Sequence, residues 1–424
     1  MIRAEHNDPV SAHKRAKGKI EILPRIHMDN PKDLTTYYTP GVADVASLIA
    51  RSPDLTYTYT SRANTIAIIS DGTRLLGLGN VGPFAATTVM ESKSVIYKRY
   101  GGVDAIPLCL NTTNEAEIIS TCRYLEPSFG LIHLEDIESP KCFVVQERLA
   151  EQLSIPVFHD DRHGTSVVAT AGVMNGLKLA GKKLSSSRII VNGAGAAGLG
   201  IAELLAEAGA KEIYALDSKG IIYKGREDGM NQFKTALAEY TNKERVSGHV
   251  EDVIGDADVF ISAVPSYRFD RSNIKKMSEK PIIFALSNPN PEISYKEAKE
   301  AGAFIAATGL SSNPNQVNNM ICYPSITRGL LDTNAKGLNK HILLAAAREL
   351  AKSTGNKLSV DNVIPTIQRN NPLSFMPNVA AAVAKEVVRQ KLARLSPDPG
   401  EVRKEMKERI RRFMKIERKV LGKR

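Results

Sequence analysis

Tryptophan is absent from the 424 residues, aromatic side chains make up only 6%, and cysteine occurs four times, at Cys109, Cys122, Cys142 and Cys322. With no CxxC pair among them, neither a disulfide framework nor a zinc knuckle is expected, and a reducing, cytoplasmic setting fits. No apolar run approaches the roughly 18 residues that a bilayer span needs, so no membrane partner is expected. The opening stretch, MIRAEHNDPVSAHKRAKGK, has no apolar region behind its charges, which argues against a secretory leader. Repeats and low-complexity stretches are missing too, which leaves compact domains.

What is present is ordinary globular composition, 42% hydrophobic and 24% charged, over a length that exceeds what one core usually supports. The net charge of +11 invites a nucleic-acid reading, but from Glu401 to Arg424 eleven Lys and Arg stand against four Glu. Most of the excess therefore sits in the tail, and the body is nearly balanced. Within the tail Val402, Met406, Ile410, Phe413, Ile416 and Val420 recur at spacings of three and four, the stripe of an amphipathic helix. A helix docked on its own body or on a sister subunit is expected, and nucleic acid is not the expected partner.

From Arg188 onward, β-rich runs alternate with helical ones: RIIVN, GLGIAELLAEAG, EIYALD, DVFISAVP, PIIFALSNP, a helix around YKEAKEAG, then AFIAATG. This alternation predicts a doubly wound parallel sheet of Rossmann type. The first half, with TYTYTS, NTIAIIS, a helix through TVMESKSVIYKRYGG, AIPLCL, GLIHLEDI and IPVFHDD, also reads as α/β. The expected division is an N-terminal α/β domain over 1–158, a nucleotide-binding domain over 159–395 and a basic helix over 396–424.

The pattern GxGxxG occurs as Gly77 to Gly82 and as Gly193-Ala194-Gly195-Ala196-Ala197-Gly198. Only the second follows an apolar strand, opens an alanine-rich helix and is followed about 20 residues later by an acid, Asp217, at the end of the next strand. Those glycines allow a tight turn and close approach of a pyrophosphate to the helix N-terminus, and Asp217 is placed to accept from ribose hydroxyls. A carboxylate there favours NAD, while Ser218 and Lys219 offer a 2′-phosphate a hydroxyl and a positive charge, so NAD and NADP both stay open. The first turn is read as a loop near substrate.

Two strands end in paired carboxylates, Glu135 with Asp136 and Asp160 with Asp161. If both ends face one cleft, repulsion raises their pKa values unless a cation sits among them, and hard oxygen ligands suit Mg²⁺ or Mn²⁺. The alternative is that these acids are solvated or cap the following helices. His159 and His163 have HxxxH spacing, but Gly164 and the strand-to-helix turn argue for hydrogen bonding or packing instead of metal ligation.

Eight motifs in consistent order, YYTPGVA, SDGTRLLGLGNVGP, VMESKSVIYKRYGGVDA, HLEDI, PVFHDDRHGT, VNGAGAAGLG, ALSNPNPEI and QVNNMICYPSITRG, together resemble malic enzymes of the compact type, over residues 20–390. The resemblance implies oxidative decarboxylation of (S)-malate to pyruvate and CO₂, with reduction of NAD(P)⁺ and a requirement for Mg²⁺ or Mn²⁺. It implies that Glu135, Asp136 and Asp161 hold the metal, with Asp160 in support. Lys93 would be the base, which must be neutral to take the C2 hydroxyl proton, and Tyr38 the acid that protonates C3. Asn288 and Asn319 would contact substrate or nicotinamide, and Arg74 would hold a malate carboxylate. A homodimer or larger homo-oligomer is expected. Two alternatives remain: malolactic chemistry with retained cofactor, and an inactive NAD-binding scaffold with an anion-binding tail.

Overall fold

Apolar runs without polar alternation, such as TIAIIS and VFIS, form strands buried on both faces, as parallel sheets require. The structure, a computed structural model, describes residues 8–75 and 78–422; Gly77 of the first glycine turn lies outside them. The first sheet contains β1 (Thr65–Ser70), β2 (Asp104–Cys109), β3 (Leu131–Leu134) and β4 (Val157–His159), all parallel in the order β2-β1-β3-β4. The second contains β5 (Arg188–Asn192), β6 (Glu212–Asp217), β7 (Gly220–Ile221), β8 (Val259–Ser262), β9 (Ile282–Ala285) and β10 (Ile305–Thr308). Its order is β10-β9-β8-β5-β6-β7, parallel except for β7. The order reverses between β5 and β8, the switch point at which doubly wound sheets bind ligands.

The expected division at 158/159 falls within β4, one residue before the strand ends. Residues of both sheets, Ile66 and Leu131 of the first and Ile189 and Phe284 of the second, belong to one continuous core. TYTY folds as a short helix, Thr56–Tyr59. There the guanidinium of Arg62 lies 4.4 Å from the Tyr57 ring centroid and donates to Thr56 Oγ1 at 3.0 Å, contacts that a helical turn brings together.

The chain returns to its first half at the end. Helix Pro399–Leu421 buries Val402, Met406 and Ile410 against helices Gly82–Gly101 and Pro372–Arg389, so it docks on its own body and turns its cationic face outward. Among the described residues no helix is long and apolar enough to cross a membrane.

Candidate active site

The C-terminal ends of β1, β3 and β4 deliver the chemistry, and one helix closes over them. Lys93, on helix Gly82–Gly101, donates through Nζ to Glu135 Oε1 at 2.8 Å and also to Asp160. Glu135, Asp136 and Asp161 each present an oxygen, all within 4.8 Å of one another. Arg74 Nη1 lies 3.6 Å from Asp161 Oδ1. Asp136 takes a left-handed backbone conformation, φ 51°, unusual for a residue with a Cβ. It is held there from both sides: its carbonyl accepts from Arg74 N at 3.1 Å and its N–H donates to Asp161 Oδ2 at 3.3 Å. The convergence expected of the paired acids is therefore present.

Burial makes this cluster electrostatically tense. It pushes Glu135 up to about 7 despite Lys93, and with the charges of Glu135 and Asp161 it pushes Asp136 up to about 8. Asp160 is pushed up to about 6, again mainly by burial. Asp161 goes the other way: burial opposes its charge, but the His159 imidazole, 3.6 Å away, and Arg74 outweigh it. Lys93 departs from the sequence expectation. Burial works toward the neutral amine, yet the contacts with Asp160 and Glu135 dominate and hold the ammonium well above its ordinary value.

The residues fit a hard divalent cation. Asp136 Oδ2 is buried without a hydrogen-bond partner, and three carboxylates share one small volume. A second trio, His133, Glu135 and Asp160, is as closely spaced, but the Lys93 ammonium bridges its two acids and serves as their cation. His159 and His163 do not share a helix face; His159 ends β4 and its N–H donates to His163 Nδ1 at 3.1 Å across the turn Asp160–Gly164.

The nucleotide turn lies where β5 hands over to helix Ala196–Ala208. Gly193 has φ 109°, and a Cβ on Gly198 would stand 1.6 Å from the Gly193 carbonyl oxygen. Gly195 faces open space and caps the helix without a side chain, leaving N–H groups free for an anion. Asp217 is already engaged. It accepts from Lys219 N at 2.8 Å and Lys234 Nζ at 2.6 Å, and Arg226 grips it with both terminal nitrogens.

Asn288 follows β9 and lies against Gly309, where a Cβ would meet its Nδ2 at 2.5 Å; Asn319 packs on Gly164 of the acidic turn. Tyr38 is not brought to this cluster within one chain: it caps helix Pro31–Tyr37 at the surface, 64% exposed. Sequence reasoning missed His133, Tyr97 and Tyr323. His133 Nε2 lies 2.6 Å from Glu135 Oε2, Tyr97 OH lies 2.6 Å from His133 Nδ1, and Lys93 Nζ sits 4.9 Å from the centroid of the Tyr323 ring. The signal was the two-residue period of β3, which puts positions 133 and 135 on one face.

Residues 163–388 match the family described as malic enzyme, NAD binding domain, and residues 17–125 match malic enzyme, N-terminal domain. The chain belongs to the malic enzyme family. It is 46% identical over 391 residues to the bifunctional malic/malolactic enzyme of Bacillus subtilis, covering 92% of this chain and 95% of that one. It is 42% identical over 378 residues to the NAD-dependent malic enzyme of Geobacillus stearothermophilus, covering 89% and 78%. The crystal structure of the NAD-dependent malic enzyme from Thermotoga maritima superposes with a TM-score of 0.85 at 44% identity, covering 89% of this chain and 99% of that one.

Proposed function

We propose that this malic enzyme oxidises and decarboxylates (S)-malate to pyruvate and CO₂ with NAD(P)⁺ as oxidant and Mg²⁺ or Mn²⁺ as cofactor. The observation that carries the reading is the convergence of Glu135, Asp136 and Asp161 within 4.8 Å, next to Lys93. These three acids would hold the ion, which when bound polarises the substrate hydroxyl and keto oxygens. Lys93 accepts the C2 hydroxyl proton as the C2 hydride leaves for the nicotinamide. A cation held by Glu135 would weaken the anionic support that keeps Lys93 charged, which would favour the basic form of Lys93. The C3–C4 bond then breaks, CO₂ departs, and C3 takes a proton from Tyr38. Arg74 would grip a carboxylate of malate, and Asn288 and Asn319 would orient substrate against the ring.

A homodimer supplies what one chain lacks. Helices Pro9–Ala16, Pro31–Tyr37 and Val42–Arg51 contain no buried residue, and Ile22, Leu34, Tyr37, Tyr38 and Val42 are exposed there. An apolar surface of this kind supports burial against a second copy, with Tyr38 reaching the partner subunit's Lys93. Residues 1–158 are assigned as the catalytic domain, 159–395 as the nucleotide domain and 396–424 as a docked basic helix, in a cytoplasmic enzyme.

For the cofactor, Arg226 and Lys234 bring two positive charges to the single charge of Asp217. This surplus supports acceptance of a 2′-phosphate, and thus NADP⁺ alongside NAD⁺. A second reading, malolactic conversion, is favoured by the similarity to the bifunctional malic/malolactic enzyme of Bacillus subtilis. One experiment addresses all of these: malate and Mn²⁺ with NAD⁺ or NADP⁺, following reduced nicotinamide and assaying pyruvate against lactate. Silence with both nucleotides overturns the reaction, and lactate without reduced nicotinamide replaces it with the malolactic one.

A further inference from the structure

A line of hydrogen bonds leads from helix Tyr323–Asp332 to Glu135 of the acid cluster. Thr327 Oγ1 lies 3.2 Å from Tyr97 OH, Tyr97 OH 2.6 Å from His133 Nδ1, and His133 Nε2 2.6 Å from Glu135 Oε2. The first three of these residues are completely buried and Glu135 is 3% exposed, so water does not compete for these bonds. Two helices supply the frame through pairs four residues apart, which share a face: Lys93 with Tyr97, and Tyr323 with Thr327. The Tyr97 and Tyr323 rings pack at 4.7 Å between centroids, and the His133 ring stands edge-on to Tyr323 at 6.1 Å.

Once Glu135 is ionised, as a cation ligand must be, a neutral His133 imidazole lets the donors and acceptors in this line be satisfied in one direction only. Glu135 then accepts from His133 Nε2–H, His133 Nδ1 accepts from the Tyr97 hydroxyl, and Tyr97 accepts from Thr327. Oε2 of Glu135 is thereby held, and Oε1 stays on the Lys93 side at 2.8 Å.

We propose that Tyr97 and His133 are positioning residues that fix the Glu135 carboxylate for a divalent ion, Tyr97 by donating to His133 Nδ1 and so holding the ring, and His133 by donating to Glu135. The inference rests on reading Glu135 as a metal ligand. Without the relay, Glu135 Oε2 is no longer held, and the ion meets a carboxylate that must first be oriented. Partners that orient a ligand in this way are typically worth about 10- to 100-fold in metal affinity.

The test is Mn²⁺ titration of the full-length protein by electron paramagnetic resonance, for wild type, His133→Leu, His133→Gln and Tyr97→Phe. Glutamine keeps a donor for Glu135 and an acceptor for Tyr97, whereas leucine fills the space with neither. His133→Leu is expected to weaken Mn²⁺ binding about 10- to 100-fold, and His133→Gln to restore it to within about 3-fold. A merely packed histidine would lower the melting temperature without this rescue. In Mg²⁺-loaded protein, in which Glu135 is ionised, ¹⁵N spectra should show His133 protonated at Nε2 with Nδ1 accepting a hydrogen bond, and Tyr97→Phe should remove the Nδ1 hydrogen bond. If wild type binds Mn²⁺ and His133→Leu binds it equally, the relay is overturned while the metal site stands. If wild type binds no Mn²⁺, the parent reading falls and the relay with it. Should His133→Leu fail to fold, Tyr97→Phe decides: unchanged Mn²⁺ affinity and an unchanged Nδ1 resonance overturn the proposal.

Discussion

Lys93 lies between two carboxylates that keep it charged, yet the proposed chemistry needs it as a base. Its removal separates these demands. Lys93→Ala is expected to lower malate oxidation by about 10²- to 10⁴-fold while nucleotide binding is retained, measured by turnover and by nucleotide titration. The neighbouring acids give a pH signature. Glu135 and Asp136 have folded-state pKa values raised to about 7 and about 8, so their contribution to stability is complete below their ordinary range and disappears as pH rises through those values. The melting temperature of metal-free protein is therefore expected to fall between about pH 5 and pH 9. Added Mn²⁺ is expected to raise it, and more so at the alkaline end, because binding displaces those protons. Calorimetry with and without a chelator checks this. At the nucleotide site, Asp217→Ala frees Arg226 and Lys234, so the ratio of kcat/KM for NADP⁺ over NAD⁺ should rise.

At the scale of elements, the turn between β5 and helix Ala196–Ala208 separates two uses of glycine. Gly198 has no space for a side chain, whereas a Cβ at Gly195 meets nothing of the protein within 4 Å. Gly195→Ala should keep its melting temperature and lose about 10-fold or more in nucleotide affinity, because the methyl occupies the approach of the phosphates. Unchanged affinity would remove this turn from the cofactor site. The C-terminal helix tests packing instead. Met406 is fully buried, so Met406→Ala should cost about 2–5 kcal/mol in denaturant unfolding. Exposed Lys415→Ala on the opposite face should stay within about 0.5 kcal/mol.

At the scale of the whole molecule, helices Pro9–Ala16, Pro31–Tyr37 and Val42–Arg51 contain no buried residue, so a second copy covering them would add to their stability. Sharing of sites is testable by mixing. Tyr38→Phe and Lys93→Ala, each inactive alone, should regain activity as a mixture if every site draws on two chains. Up to about one quarter of all sites would then be intact, since half of the dimers are mixed and each holds one complete site. Sedimentation of the unmixed protein gives the oligomeric state, and no recovery on mixing would place Tyr38 and Lys93 in one chain.

The local chemistry of this protein was legible from residues in order. Strand–turn–helix signals around Gly193 to Gly198, the carboxylate pairs at 135–136 and 160–161, and the apolar stripe of the last helix all depend on neighbours a few positions apart. Their physical basis, period and turn geometry, is written along the chain. What only the tertiary structure decided depends on distance through space. The ammonium of Lys93 bridges acids from two different strands, Arg226 and Lys234 occupy Asp217, and His133 with Tyr97 stands behind Glu135. Apart from the two-residue step from His133 to Glu135, these pairings have no period, because they arise where separate elements meet, and burial there sets charges that no sequence spacing encodes.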